Sequence, residues 1–137
     1  MNVVIQRIDH DFHFEAKGAS GVVVNIDAAK DIGGHELGAR PMEMILMGLG
    51  SCSAIDVILI LRKQNQVLED IRIEVNAKRA DVVPAIFTEI EVKFYLKGNI
   101  KPEKAEQAVS LSMKKYCSVT AILEKTAIVT HTVFIER

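Results

Sequence analysis

The sequence predicts an α+β fold, and three patterns carry that expectation. Residues 71–78 and 86–97 alternate apolar and polar side chains as two consecutive strands do, with Ile71, Ile73, Val75 and Ala77 on one face of the first. Residues 44–61 are apolar or small throughout except for Asp56, a run long enough for a buried helix. Residues 102–115 place Ala105, Ala108, Val109, Ser112 and Met113 at helical spacing. Strands, helix, strands, helices and a closing strand follow one another in that order, which favours a largely antiparallel sheet packed on one long buried central helix.

The chain opens with two short alternating segments, 3–8 and 12–17, in which Phe12, Phe14 and Ala16 face away from His13, Glu15 and Lys17. "VVVNI", 22–26, reads as a third strand. Glycines 33, 34 and 38 mark a loop that leads into the apolar helix. Pro41 suits the first turn of that helix, which should run to about residue 64 where "RKQNQ" restores polar side chains. In the second strand of the hairpin, Ile86, Thr88, Ile90, Val92, Phe94 and Leu96 are expected to share the inner face. A helix from Pro102 to about Lys115, a short helix over 119–124 and the strand "AIVTHTVFI" complete a single domain spanning 1–137.

Composition narrows the function. Seventeen basic and 18 acidic residues, mixed along the chain, give a net charge of -1, so no basic stripe offers itself to nucleic acid. The opening "MNVVIQRIDHDFHFEA" carries charge by residue 7 and does not resemble a signal peptide, which predicts a cytoplasmic protein. The 44–61 run has about the minimum length of a membrane span. Asp56 at a bilayer centre would cost roughly 2.5–3.5 kcal/mol, and Gly48, Gly50, Ser51 and Ser53 dilute the apolarity, so no membrane partner is expected. A sheet with one wet face covers only one side of a helix that is apolar nearly all round. The missing cover is expected from a second copy, a homodimer in which Gly48, Gly50, Ser51 and Ala54 permit close helix approach.

The chain has two cysteines, Cys52 and Cys117, which in a reducing compartment are either inert packing residues or a redox pair. Gly48, Leu49, Ile55 and Asp56 share the helix face of Cys52. An ionised Asp56 opposes thiolate formation there, so a reactive Cys52 would need a cation from Arg40, Lys17 or a second subunit. Glu43, nine residues before Cys52, projects from the opposite side of the helix, toward the thiol of a second subunit rather than its own. Cys117 follows Lys114 and Lys115, with Ser118 suited to cap the next helix; both features would lower its pKa.

"RPMEMILMGLGSC" with its following apolar helix, then "KKYCSVTAILEK" and a closing apolar strand, resembles the superfamily of the osmotically inducible protein C (OsmC) and the organic hydroperoxide resistance protein (Ohr). The resemblance spans essentially the whole chain. The best-fitting subgroup carries Pro-x-Glu, a Gly-rich stretch, the cysteine and Ile-Asp-Val, here Pro41, Glu43, Cys52 and "AIDV". It implies an intertwined homodimer with paired central helices and a thiol peroxidase acting on organic hydroperoxides in oxidative-stress defence. Cys52 would attack the peroxide and become a sulfenic acid; Cys117 would resolve it as a disulfide; a dithiol reductant would reset the pair.

The chain departs from the well-marked peroxidases at the assisting groups. Met42 stands where their glutamate directly follows the proline, and Lys17 is the one cation in the strand-turn region where they carry an arginine. Arg40 with Glu43 is the replacement pair expected here. The alternative is a non-catalytic dimer of the same fold that binds a small apolar ligand, its cysteines structural or redox-sensing. His10, His13, His35 and His131 lack ligand spacing and no loop has the form of a phosphate cradle, so neither metal nor cofactor is expected.

Overall fold

Described from Met1 to Arg137 in a computed structural model, the chain divides into two units, Met1–Leu46 and Met47–Arg137. In the first, β1 (Val4–Arg7), β2 (Phe14–Lys17) and β3 (Val23–Ile26) form an antiparallel meander in chain order, with Ile5 opposite Ala16 and Ala16 opposite Val24. The turn between β1 and β2 is held by Asp9, whose Oδ1 accepts from the N–H of Asp11 at 2.9 Å and of His13 at 3.1 Å.

The loop after β3 is built around a buried carboxylate. Asp27 Oδ1 accepts from Ala28 N–H at 2.7 Å, and Oδ2 accepts from His35 N–H at 3.0 Å and Leu37 N–H at 3.2 Å. Burial works against the charge, but the donors of Leu37, His35 and Ala28 outweigh it and hold the carboxyl below its ordinary value. Ala39 returns beside Ile26 and brings Gly38 against Asn25, where a Cβ would lie 2.3 Å from the carbonyl oxygen. Only glycine fits there.

Helix α1 (Pro41–Lys63) begins immediately afterwards with proline at its first position, and Glu43 Oε1 accepts from Arg40 N–H at 2.9 Å, one half of a capping box. It is long and apolar enough to cross a membrane by length and composition. Its side chains are used unequally: Leu49, Gly50, Ser53, Val57 and Leu61 are buried, while Met47, Ile55 and Leu59 are exposed.

In the second unit the long hairpin is β4 (Val67–Arg79) with β5 (Phe87–Asn99), and β6 (Ile128–Glu136) lies on the other side of β5. Ile73 stands opposite Phe94 and Val75 opposite Val92, the face expected from the alternation. The far end of the hairpin corrects the expectation for β5. Lys78 pairs with Glu89 but Arg79 pairs with Phe87, so Thr88 is an extra residue. That bulge turns Phe87 inward and leaves Ile86 and Thr88 exposed. β6 runs parallel to β5, because the helices between them return the chain to the end from which β5 started.

Those helices are α2 (Pro102–Leu111), a π-helical turn (Ser112–Tyr116) and α3 (Ser118–Leu123). The expected inner stripe of Ala105, Ala108, Val109, Ser112 and Met113 is buried, but the regular helix stops at Leu111 and the wider turn carries the last two. Ile90, Val92, Phe94 and Leu96 of β5 complete this core. Gly50 lies against the sheet of its own chain: a Cβ there would touch Ile73 and Val75 at 3.4 Å.

Gly98 in β5 has φ +142°, and a Cβ would sit 2.1 Å from the Val67 carbonyl oxygen. Gly98→Ala therefore combines a backbone conformation that L residues rarely adopt with a clash at the open end of the hairpin. It should lower the unfolding free energy by on the order of 2 kcal/mol or more, read as a lower urea midpoint; an unchanged midpoint would contradict this geometry.

Candidate functional site

Helix periodicity places Asp56 one turn beyond Cys52, and the structure keeps both half-exposed. Cys117 is buried and follows the π turn. What brings it to α1 is Ser112, the first residue of that turn and itself fully buried. The Ser112 hydroxyl lies 3.2 Å from the Ser53 carbonyl and 3.1 Å from Asp56 Oδ2, so its one proton is shared between two acceptors on α1. The Ser112 carbonyl in turn accepts from Cys117 N–H at 2.8 Å. As a result the two thiol sulfurs and a carboxylate oxygen of Asp56 all lie within 4.8 Å of one another.

Cys117, not Ser118, caps α3: its sulfur accepts from Thr120 N–H at 3.4 Å. The expectation of a lowered pKa is corrected as well. Burial pushes the thiol up; the Thr120 hydroxyl and N–H pull the other way, and the neighbouring Cys52 adds to the rise. Lys114 and Lys115 are exposed, with the Lys115 ammonium over the Tyr116 ring at 5.2 Å, and neither is a cause of the shift.

Two sulfurs within 4.8 Å of one another are candidates for a disulfide, whose S–S bond is roughly 2.05 Å. Two thiols with a carboxylate are also the ligand types of a thiophilic metal. Arg40 and Glu43 belong to the first unit, where their recorded bond is the cap described above, and their side chains form no ion pair with each other. Sequence spacing alone does not mark Ser112 and Thr120 as site residues. The signal for Ser112 was available as a hydroxyl on an otherwise apolar stripe, since a buried polar group must find a partner.

A second gathering of polar groups lies in the first unit. His35 Nε2 is 2.8 Å from Asp11 Oδ2, with Asp9 beside them, joining residues whose sequence spacing gave no hint of proximity. The hydrogen bond to Asp11 holds the ring above its ordinary pKa. This group is largely exposed.

A groove of about 330 Å³ adjoins the thiol site, lined by Asp56 with Leu59, Ile60, Leu111 and Tyr116 and by the polar Lys63 and Gln64.

The raised Cys117 thiol sets a measurable pH dependence. In Cys52→Ser, the rate of Cys117 alkylation by iodoacetamide should climb through a midpoint above the ordinary thiol value of about 8.5. Because the folded value exceeds the unfolded one, the stability this thiol contributes is complete below the unfolded pKa and is lost as pH rises through the folded pKa. A midpoint below 8 would contradict burial as the dominant influence.

Comparison with known proteins places these features in a family. The sequence pattern of the family described as OsmC-like protein matches residues 33–132. Protein YhfA of Escherichia coli K12 is 44% identical over 92 residues, 66% of this chain and 69% of its own length. A solved structure of a hypothetical protein from Aquifex aeolicus is 33% identical, with a TM-score of 0.82 over 99% of this chain and 97% of its own. An organic hydroperoxide resistance protein OsmC from Legionella pneumophila, at 13% identity, shares the fold, with a TM-score of 0.71 over 97% and 96% of the two chains. By the extent of the family match and the identity to these relatives, the chain belongs to the OsmC-like protein family.

Proposed function

We propose that the protein is a thiol-dependent peroxidase that reduces organic hydroperoxides, with Cys52 as the attacking and Cys117 as the resolving thiol. The observation that carries this reading is the approach of the two sulfurs to within 4.8 Å in a chain of this family. The Cys52 sulfur attacks the outer peroxide oxygen, the O–O bond breaks, and the leaving alkoxide takes a proton to become an alcohol. Cys52 is then a sulfenic acid. Cys117 displaces its hydroxyl as water, and an external dithiol, oxidised to its own disulfide, returns both cysteines to thiols.

The difference in exposure between the two cysteines fits their assigned order. Half-exposed Cys52 is the more open of the two to a substrate, whereas buried Cys117 is better placed to meet the sulfur beside it. The apolar groove beside Asp56 suits the organic part of an alkyl hydroperoxide better than hydrogen peroxide. The same groove favours a second reading, in which the dimer binds a small apolar ligand without turnover.

The working unit is a homodimer in the cytoplasm. Met47, Ile55 and Leu59 leave an apolar stripe on α1 opposite the stripe used by its own sheet, and a second copy of α1 is the simplest cover for it. In that assembly Glu43, half a helical turn out of phase with Cys52, and Arg40 at the helix entrance would serve the thiol of the second copy as assisting carboxylate and cation.

Two measurements test this. One equivalent of cumene hydroperoxide added to reduced protein should consume both thiols rapidly and lower the mass by about 2 Da, as disulfide formation requires. Cys52→Ser should abolish the reaction, and Cys117→Ser should accumulate an oxidised Cys52; thiols intact after an hour would select the ligand-binding reading. Light scattering at micromolar concentration should give twice the chain mass of 15.2 kDa, and the single-chain mass would refute the dimer.

A further inference from the structure

The thiol chemistry above leaves one neighbour of the two sulfurs without a task. Asp56 is fixed as firmly as the cysteines: it rides on α1 one turn from Cys52, and its Oδ2 accepts from the buried Ser112 hydroxyl at 3.1 Å. The carboxylate forms no ion pair; those present are His35–Asp11, Arg72–Glu74, Lys78–Glu89 and Lys93–Glu91. Its titratable surroundings are Cys52 on its own helix, Cys117 beyond the π turn, and Lys63 and Tyr116 on the groove. A carboxylate beside two thiols opposes their ionisation, yet it is well placed to receive a proton from one of them. The need is specific to Cys117, the buried thiol, which must lose its proton to attack.

We propose that Asp56 is the general base of the resolving step and carries the Cys117 proton to the hydroxyl that leaves Cys52. The assignment rests on the thiol chemistry proposed above. The Cys117 sulfur bonds to the Cys52 sulfur, and the S–O bond of the sulfenic acid breaks. The Cys117 proton passes to Asp56 and from there to the departing hydroxide, which leaves as water. The sulfenic sulfur is reduced and the Cys117 sulfur oxidised to the common level of a disulfide, so no further reagent enters the step. A separation within 4.8 Å from either sulfur is covered by a small side-chain rotation or one bridging water. Ser112 acts through Asp56 as a positioning residue, leaving the other carboxylate oxygen free for the proton.

The test separates this role from the peroxidase reading. Reduced full-length protein is mixed with one equivalent of cumene hydroperoxide across about pH 6 to 9; sulfenic acid is trapped with dimedone and disulfide followed by mass. With an internal base, the wild-type rate of disulfide formation should change by less than about threefold between pH 6 and 8. Asp56→Asn should form disulfide about 100-fold more slowly at pH 6.5, accumulate sulfenic acid, and gain roughly tenfold per pH unit as Cys117 ionises unaided. Asp56→Glu, which keeps the carboxylate, should restore the flat profile.

The same step can be run without peroxide. Cys52 is loaded as a mixed disulfide with thionitrobenzoate, and release of the second coloured thiolate by Cys117 is followed over the same pH range. If peroxide fails to oxidise Cys52 while this release is flat in the wild type and steep in Asp56→Asn, the peroxidase reading falls and the role of Asp56 stands. A wild-type release rate that itself rises tenfold per pH unit overturns the role, whether or not the Asn variant folds. So does an Asn variant indistinguishable from wild type.

Discussion

The shared proton of Ser112 is the constraint on which the arrangement of the second unit turns. One hydroxyl, fully buried, reaches both the Ser53 carbonyl and the Asp56 carboxylate, and so ties the end of α2 to the middle of α1 at a single point. Each acceptor has other chemistry to satisfy. The Ser53 hydroxyl is turned back on its own helix, lying 2.9 Å from the Leu49 carbonyl and 3.1 Å from that of Gly50, while the Ser53 carbonyl, with two lone pairs, accepts from Ser112. A hydrogen bond of this kind adds only about 1 kcal/mol to stability, but leaving a buried donor unmet costs more, so the tie acts chiefly by excluding other dockings.

The π turn converts that tie into placement. By widening one turn, the chain delivers Cys117 beyond Ser112 while the Ser112 carbonyl still accepts the Cys117 N–H. Cys117 then begins α3, with its sulfur meeting Thr120 N–H. A regular helix continued to Lys115, as the apolar stripe suggested, would carry the same residues with a different phase. The irregularity sits where the two sulfurs come within 4.8 Å of one another, and π turns are frequent at functional sites.

What was legible in the sequence was whatever depended on local period. The hairpin faces around Ile73 and Phe94 followed from alternation, and the position of Asp56 beside Cys52 followed from 100° per residue. What was lost depended on one residue out of step or on partners far along the chain. Thr88 inserts into β5 with no compositional mark, and every residue before it in the strand changes face. The parallel setting of β6 is a property of the connection through residues 100–127, not of "AIVTHTVFI" itself. The lysines before Cys117 suggested a lowered pKa, but their charges stay in solvent while the sulfur is buried, and desolvation dominates. The uniform apolarity of α1 implied two covers but not which side chains meet which: Leu49, Val57 and Leu61 are buried, Met47, Ile55 and Leu59 are exposed, and Gly50, expected at the seam with a second copy, lies against Ile73 and Val75.

The place of Asp56 also bears on how a chain with Met42 after the proline can keep the chemistry of two thiols. Two like charges about 4.8 Å apart repel by on the order of 3 kcal/mol at an effective dielectric constant near 20. A thiolate and a carboxylate held together at that distance are therefore a poor resting state. One proton shared between Asp56 and Cys117 removes the conflict, because at each moment only one of the two carries a charge. A fixed cation stabilises a thiolate continuously; a neighbouring carboxylate instead supplies a place for the proton only while sulfur is reacting. The first arrangement favours a permanently ionised attacking thiol, the second a buried thiol that is inert until a sulfenic sulfur appears beside it, which is the selectivity that a resolving cysteine requires.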